Sequence, residues 1–226
     1  MQTASQGNIF IISAASGTGK TTLVSRLLQQ HTDIRVSVSH TTRAPREGEQ
    51  HGQHYYFVDT AEFERLIGEG AFLEHAKVFD NYYGTGVKSV QLLQEQGFDV
   101  ILEIDVQGAE QVRRALPDAI SIFILPPSFA ILAERLRGRG TDAPEVVAKR
   151  LNKAREEIEQ SLLFDYTVVN DDLATAEADL YHIIKAHRLT QNRQQAFIEH
   201  LLANAWFSIN CFSYSQHNLS PFLTLQ

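Results

Sequence analysis

The apolar run Ile9-Phe10-Ile11-Ile12 leads almost directly into Ser16-Gly17-Thr18-Gly19-Lys20-Thr21-Thr22, and no other stretch restricts the fold so tightly. A continuous apolar run of this length is the pattern of a strand buried on both faces of a parallel sheet. Leu23, Val24, Leu27 and Leu28 then recur at helical spacing, which predicts a helix over 20–30. Strand, glycine-rich turn and helix together aim several backbone N–H groups and the positive end of a helix dipole at one point, a geometry suited to phosphate oxygens. Lys20 then reaches the β- and γ-phosphates of a nucleoside triphosphate, and Thr21 offers its hydroxyl to Mg²⁺. The full phosphate-loop pattern begins with Gly where this chain has Ala14; Ala is admissible there if the backbone is extended, because only φ > 0 excludes it. A plain connecting loop is the alternative, but it does not require a lysine directly after the second glycine with two hydroxyl residues behind it.

Downstream, 34–39 alternates apolar and polar residues and reads as a strand, Thr41 to His54 as loop, 55–58 as a strand, 60–67 as a short helix capped by Thr60, 71–79 as a strand and 87–96 as a helix. This strand- and turn-rich middle third has the character of an inserted lobe. Alternation then returns: strand 99–105, helix 106–116, strand 120–125, a helix started by Pro126-Pro127 and running through Leu136, a break at Gly138-Arg139-Gly140, a helix capped by Asp142 and running to Leu163, strand 165–170, and a helix from Leu173 to about Leu202. Strands alternating with helices predict an α/β fold with a parallel sheet covered on both faces. Residues 205–226 contain no Asp, Glu, Lys or Arg and are expected to be a disordered appendage.

The 226 residues fit one domain, or one domain with a smaller inserted lobe. A formal net charge of −7 argues against a nucleic-acid partner, whose phosphates need a basic surface. The polar start lacks a basic leader segment, the first apolar run is too short to span a bilayer, and a single cysteine, Cys211, excludes an internal disulfide. Cytoplasmic residence without a membrane partner is the expectation, with monomer or homo-oligomer left open.

Three constellations supply an acceptor for a phosphoryl group. In Ser39-His40-Thr41-Thr42-Arg43-Ala44-Pro45-Arg46, two arginines three apart suit a phosphomonoester, since guanidinium forks bind phosphate oxygens in pairs and stay charged. In Phe72-Leu73-Glu74-His75-Ala76, a carboxylate on a mostly apolar strand needs hydrogen-bond donors, and guanine offers N1–H and N2–H side by side. Tyr55 and Tyr83 are placed to donate phenolic hydrogens while packing as apolar walls. Arg135, Arg137, Arg139 and Arg150, interrupted by glycines at 138 and 140, have the pattern of a closing lid whose cations stabilise charge in transit and shut out water. Glu103 and Asp105 share one face at the end of a strand, where they order Mg²⁺ waters beside Thr21 or bond the acceptor; their spacing serves both.

From about Gly7 to Ala203 the chain resembles the bacterial guanylate kinases. The resemblance lies in Ser16–Thr21, Val38–Arg46, Gly52-Gln53-His54-Tyr55, Asn81-Tyr82-Tyr83-Gly84-Thr85, Ile104-Asp105-Val106-Gln107-Gly108, Arg135–Gly140 and Val169-Asn170-Asp171-Asp172. It implies transfer of the γ-phosphoryl group of ATP to GMP or dGMP with Mg²⁺, on a phosphate-loop kinase core with a five-stranded parallel sheet. It also implies a GMP-binding lobe over about 37–90 and a lid over about 137–160. By position, Ala14, Ala15, Ser16, Gly17, Thr18, Gly19, Lys20, Thr21, Thr22 and Asn170 would hold ATP. Ser39, Arg43, Arg46, Tyr55, Glu74, Tyr83, Gly84, Thr85, Glu103 and Asp105 would hold GMP, with Thr21 and Asp105 toward the metal. Lys20, Arg43, Arg135, Arg139 and Arg150 would serve the transfer. Thr85 stands where the family often has Ser, and Glu103 where it often has Asp. Two other readings share the fold: a binding module without catalysis, which the retained Lys20 and lid arginines oppose, and a kinase for another acceptor, which Glu74 opposes.

Overall fold

The computed structural model describes residues 6–78, 80–138 and 144–215, with backbone alone at 144–145 and 205–215. Gln6–Lys185 forms one compact unit, and the chain from Ala186 onward belongs to a second.

In the first unit, five strands form one parallel sheet: β1 (Ile9–Ala14), β2 (Ile34–Val36), β7 (Asp99–Glu103), β8 (Ile120–Leu125) and β9 (Tyr166–Val169), in the order β2-β7-β1-β8-β9. Alternate β1 residues serve opposite cores, as the two-residue period of a strand dictates. Phe10 and Ile12 pack with Leu23, Leu27, Leu180 and Ile184 from α1 (Lys20–Gln30) and α7 (Leu173–Arg188). Ile9 and Ile11 pack with Val90, Ala109 and Val112 from α3 (Val87–Glu95) and α4 (Val106–Ala115). The chain leaves β1 toward β2 on one side and later returns from β7 to β8 on the other. The C-terminal end of β1 is thus a point where connections diverge, the place where open α/β sheets form ligand crevices.

A second sheet has the order β4-β3-β6-β5, built from β3 (His40–Thr41), β4 (Tyr56–Phe57), β5 (Phe72–Val78) and β6 (Asn81–Gly86). β5 and β6 pair antiparallel, with Glu74 opposite Thr85 and His75 opposite Gly84. Helix α2 (Thr60–Gly68) lies between β4 and β5 in sequence, and its Phe63 stacks on Phe72 and Tyr82 of this sheet. The remaining helices of the unit are α5 (Phe129–Arg137) and α6 (Pro144–Glu159), the latter followed by a 3-10 turn over Gln160–Leu163.

Several boundaries differ from those read in the sequence. The strand expected over 34–39 stops at Val36, and the chain re-enters regular structure at His40–Thr41, the second of which begins the stretch read as loop. β6 is a strand that the sequence reading did not assign. The cap of α2 is Asp59, not Thr60: its carboxylate accepts the Glu62 N–H at 2.8 Å. Ser128 caps α5 in place of a proline start, accepting the Ile131 N–H at 3.2 Å. In both cases a side-chain oxygen satisfies a donor of the first turn that a helix leaves unpaired. Asp142 lies outside the described residues.

In the second unit, the helix expected to run from Leu173 to about Leu202 is interrupted after Arg188, and α8 spans Gln191–Ser215. At the interruption Thr190 donates its hydroxyl to the His187 carbonyl at 3.2 Å, while its own carbonyl accepts the Arg193 N–H at 3.0 Å. A hydroxyl that competes for local backbone groups favours such an end over a continuous helix. Helix α8 continues past residue 205, so the segment expected to be disordered starts as helix; residues 216–226 lie outside the described residues.

Candidate functional site

The loop after β1 begins with an extended residue. Ala14 closes the strand, paired with Ile124 of β8, so the backbone region that would demand glycine is not used there and alanine fits. Thr18 then tightens the turn, with its N–H at 3.2 Å and its hydroxyl at 2.7 Å from the Ala15 carbonyl. Gly19 takes φ 96°, and a Cβ there would fall 2.6 Å from the Asn170 amide nitrogen, so both conformation and space require glycine. That amide donates to the Thr18 carbonyl at 2.8 Å. Arg135 clamps the same region, giving one N–H to the Thr18 carbonyl and another to the Asn170 carbonyl, each at 3.1 Å. Loop conformation is therefore fixed from α5 and from the end of β9. Helix α1 starts at Lys20 with no side-chain cap, which leaves its first-turn N–H groups directed out of the helix end.

Lys20 and Thr21, the first two residues of α1, turn toward the end of β7. Lys20 Nζ donates to the Ile104 carbonyl at 3.2 Å and lies 3.9 Å from Glu103 Oε1. Burial lowers the ammonium from its ordinary range, and the carboxylates of Glu103, Asp105 and Glu157 oppose that fall. The Thr21 hydroxyl donates to Glu103 Oε1 at 2.7 Å. The two carboxylates that the sequence placed on one face thus have separate surroundings. Glu103 accompanies Thr21, whereas Asp105, assigned with Thr21 to the metal, caps α4 by accepting the Gly108 N–H at 2.9 Å. The parting follows from secondary structure: Glu103 is the last residue of β7, and Asp105 is the extended cap residue directly before α4. A hydroxyl and a carboxylate this close suit Mg²⁺, which takes one or two protein oxygens and keeps waters and phosphates for the rest.

Glu74 faces inward from β5 and is 4% exposed. Its Oε1 accepts the Thr85 hydroxyl at 2.6 Å, and Thr85 Oγ1 lies 3.5 Å from the Ser39 hydroxyl. Burial pushes Glu74 up to about 7; the Thr85 hydroxyl pulls it down, the Asp105 carboxylate adds to the rise and the Thr85 backbone opposes it. Gly84 contributes backbone only, pairing with His40 and His75 across the sheet.

On the same sheet, Arg43 lies 2.8 Å from Glu49 Oε1, gives a second N–H to the Ala44 carbonyl at 2.7 Å, and stands 5.5 Å from the centre of the Tyr55 ring. The hydrogen bond to Glu49 raises Arg43 further above its ordinary value. Glu49 is held down to about 2 by that same bond and by the Arg46 backbone N–H, which it accepts at 2.7 Å. Arg46 itself is exposed. Tyr55 and Tyr83 meet edge to face with centroids 6.0 Å apart, and burial raises the Tyr55 phenol above its usual range.

Helix α6 brings in Arg150, which the sequence reading assigned, together with residues that it passed over. Arg150 donates to the Ser16 hydroxyl at 3.0 Å, and Glu157 accepts the Ser16 N–H at 3.3 Å. Val146, Lys149, Lys153 and Glu157 line the cavity with Arg150. Their three- and four-residue spacing is a helical stripe that periodicity alone would have found. Glu49 was equally hidden, because a carboxylate six residues from an arginine in a loop has no spacing that announces a pair. Arg139 lies outside the described residues.

One cavity of about 720 Å³ collects Ser16, Lys20, Ser39, Tyr55, Glu74, Tyr83, Glu103, Asp105 and Arg150. Among the assigned residues, Arg43, Arg46, Arg135, Thr85 and Asn170 are not part of its lining; Thr85 bonds to the lining Glu74, and Arg43 stands against the lining Tyr55. Thr22 is exposed in the first turn of α1. Among the described residues no group of three or more His, Cys, Asp or Glu side chains is disposed to hold a metal unaided, and no helix is long and apolar enough to cross a membrane.

A family model described as guanylate kinase matches residues 6–187. A guanylate kinase of Neisseria meningitidis serogroup B is 68% identical over 200 residues, covering 88% of this chain and 98% of the relative. One from Salmonella paratyphi A is 52% identical over 205 residues, covering 88% and 99%. The crystal structure of guanylate kinase from Anaplasma phagocytophilum is similar with a TM-score of 0.69 at 36% identity, over 84% of this chain and 90% of that one.

Proposed function

This chain belongs to the guanylate kinase family, ATP:GMP phosphotransferases of the phosphate-loop kinase fold, and we propose from that premise how its residues carry the reaction. The triphosphate of ATP lies along the 14–22 loop, its β- and γ-oxygens accepting the free N–H groups at the start of α1 and the Lys20 ammonium. GMP, or dGMP, sits against the second sheet, over about 37–90. Glu74 accepts the guanine N1–H and N2–H, supported by Ser39, Thr85 and Asp105, while Arg43, Arg46, Tyr55 and Tyr83 take its phosphate. An oxygen of that phosphate attacks the γ-phosphorus in line, the bond from phosphorus to the β,γ-bridging oxygen breaks, and ADP and GDP leave.

Charge spread over the moving group is met by Lys20, Arg135, Arg139 and Arg150, the last two from a lid over about 137–160. Mg²⁺, when bound, neutralises the triphosphate; Thr21 and Glu103 are the side chains we assign to it. Closure of the lid keeps water from taking the phosphoryl group. We place this activity in the cytoplasm, in keeping with the single cysteine.

The observation that carries the reading is the opening of Lys20 and the buried carboxylate of Glu74 into one cavity, since a donor lysine and a base-reading carboxylate there leave room for two nucleotides end to end. A coupled ADP-release assay with ATP and Mg²⁺ against GMP, AMP, UMP and CMP tests it. GMP should be used in strong preference; equal use of AMP, or no ADP release with GMP, refutes it.

A further inference from the structure

Gly108 is the third residue of α4, fully within the helix and buried. Glycine is a poor choice there on intrinsic grounds, because it costs more backbone entropy than alanine in a helix. Its backbone gives no reason for the choice, since Gly108 is not among the glycines of positive φ. Space gives the reason. A Cβ on Gly108 would stand 2.6 Å from Glu74 Oε2 and 3.1 Å from Glu74 Cδ, whereas its next neighbour, Ile104 Cβ, is at an ordinary 3.4 Å. The carboxylate of Glu74 therefore rests on the bare Cα of Gly108, while its other oxygen is held by Thr85. The same glycine donates its N–H to Asp105.

We infer that Gly108 is a positioning residue for acceptor specificity: the missing methyl group is the space into which the carboxylate of Glu74 fits, and that fit sets where the guanine-reading oxygens lie. The inference rests on the assignment of Glu74 as the guanine reader. A methyl group at 108 forces the carboxylate to retreat by most of an ångström before contact becomes ordinary. Because the displaced atoms are the tip of a side chain, the core tolerates the change and recognition does not. Hydrogen-bonded discrimination between bases is steep in position, so a shift of this size disables the reader without unfolding the chain.

The test is a double-mutant cycle in the full chain with Gly108→Ala, Glu74→Ala and both together, each measured for KM of GMP, KM of ATP, the GMP-to-AMP rate ratio and melting temperature. Gly108→Ala should raise KM for GMP about tenfold or more, hold KM for ATP within about twofold, narrow the GMP-to-AMP ratio, and leave the melting temperature equal to or above that of the parent. In the Glu74→Ala background the added methyl group meets no carboxylate, so Gly108→Ala should have no further effect on KM for GMP. An unchanged KM for GMP in Gly108→Ala, additive effects in the double variant, or a fall in melting temperature with both KM values rising would each overturn the inference. If Glu74→Ala itself leaves KM for GMP unchanged, the assignment of Glu74 fails. If Glu74→Ala raises it and Gly108→Ala does not, the inference about Gly108 fails alone.

Discussion

Lowering the pH from about 8 to about 6 should weaken the acceptor site and spare the donor site. Glu74 is buried, and burial together with the nearby Asp105 carboxylate holds it near 7 against the opposing hydrogen bonds of Thr85. At pH 8 the group is mostly ionised and presents acceptors alone to the guanine donor pair; at pH 6 about nine in ten molecules carry the proton, and one oxygen becomes a donor facing a donor. If the ionised form alone binds, the apparent KM for GMP rises about tenfold across that interval, equivalent to about 1.4 kcal/mol. The donor side has no matching loss, because backbone N–H groups do not titrate there and Lys20 gains rather than loses charge as pH falls. Stability moves the other way. A carboxyl whose folded value is raised keeps a proton that the unfolded chain releases, so between 4.5 and about 7 the folded state weakens as pH rises. The whole span corresponds to roughly 3 kcal/mol as an upper bound. The assay is steady-state KM for GMP at saturating ATP in buffers from about pH 5.5 to 8.5, with Glu74→Gln as background, since the GMP phosphate itself gains a proton near pH 6. A parent profile that parallels that of Glu74→Gln would refute the reasoning.

Two further outcomes follow from the loop. Lys20→Ala removes the ammonium that faces the phosphates and touches only the Ile104 carbonyl and Glu103 otherwise, so turnover should fall about a hundred- to a thousandfold with the melting temperature nearly unchanged; near-parental turnover from the folded variant contradicts the assignment. Glu103→Gln keeps the bond from Thr21 but removes the charge beside it. Half-saturation in Mg²⁺ should rise about tenfold with little change in KM for GMP, and a rise in KM for GMP at unchanged Mg²⁺ dependence would move Glu103 to the acceptor side instead.

The parallel sheet was legible because its central strands β1, β7 and β8 are dominated by apolar residues and alternate with helices along the chain, and the phosphate loop because its chemistry is local: seven consecutive residues carry it. Even the departure at position 14 resolved as the sequence argument required, with Ala14 extended at the end of β1. The second sheet was harder for a physical reason. β4 falls within the strand read over 55–58, but β3 is two residues long, and β6 contains Gly84 and Gly86 with polar residues between and before them, so neither of these has a period to detect. Their strand character comes from pairing, with β6 held between β3 and β5. Capping showed the same limit on a smaller scale. Asp59 and Thr60 are both good caps by type, and which one serves depends on where the chain leaves β4.

Glu74 shows where local reading stops and topology takes over. That a carboxylate on an apolar strand needs donors follows from its neighbours in sequence, but its near-neutral character does not. It arises because the fold buries the carboxylate and because α4, which starts more than thirty residues later, brings Asp105 and Gly108 against it, while Thr85, set opposite by the antiparallel hairpin, opposes the rise. Lys20 is buried in the same cavity and meets the opposite company: Glu103 from β7 and Glu157 from α6 offset its desolvation with charge. For Glu74 the offset comes only from the hydroxyl and backbone of Thr85, and the nearest charge to influence it has the same sign. Two desolvated ionisable groups facing one space are thus treated unequally by the fold. A triphosphate carries its own charge to the cation that receives it, whereas a neutral base brings only a pair of hydrogens. The ionisation of Glu74 must then be won partly from those hydrogens, which couples acceptor binding to proton release and makes the base, as well as the phosphate, a part of the acceptor whose recognition depends on pH near neutrality.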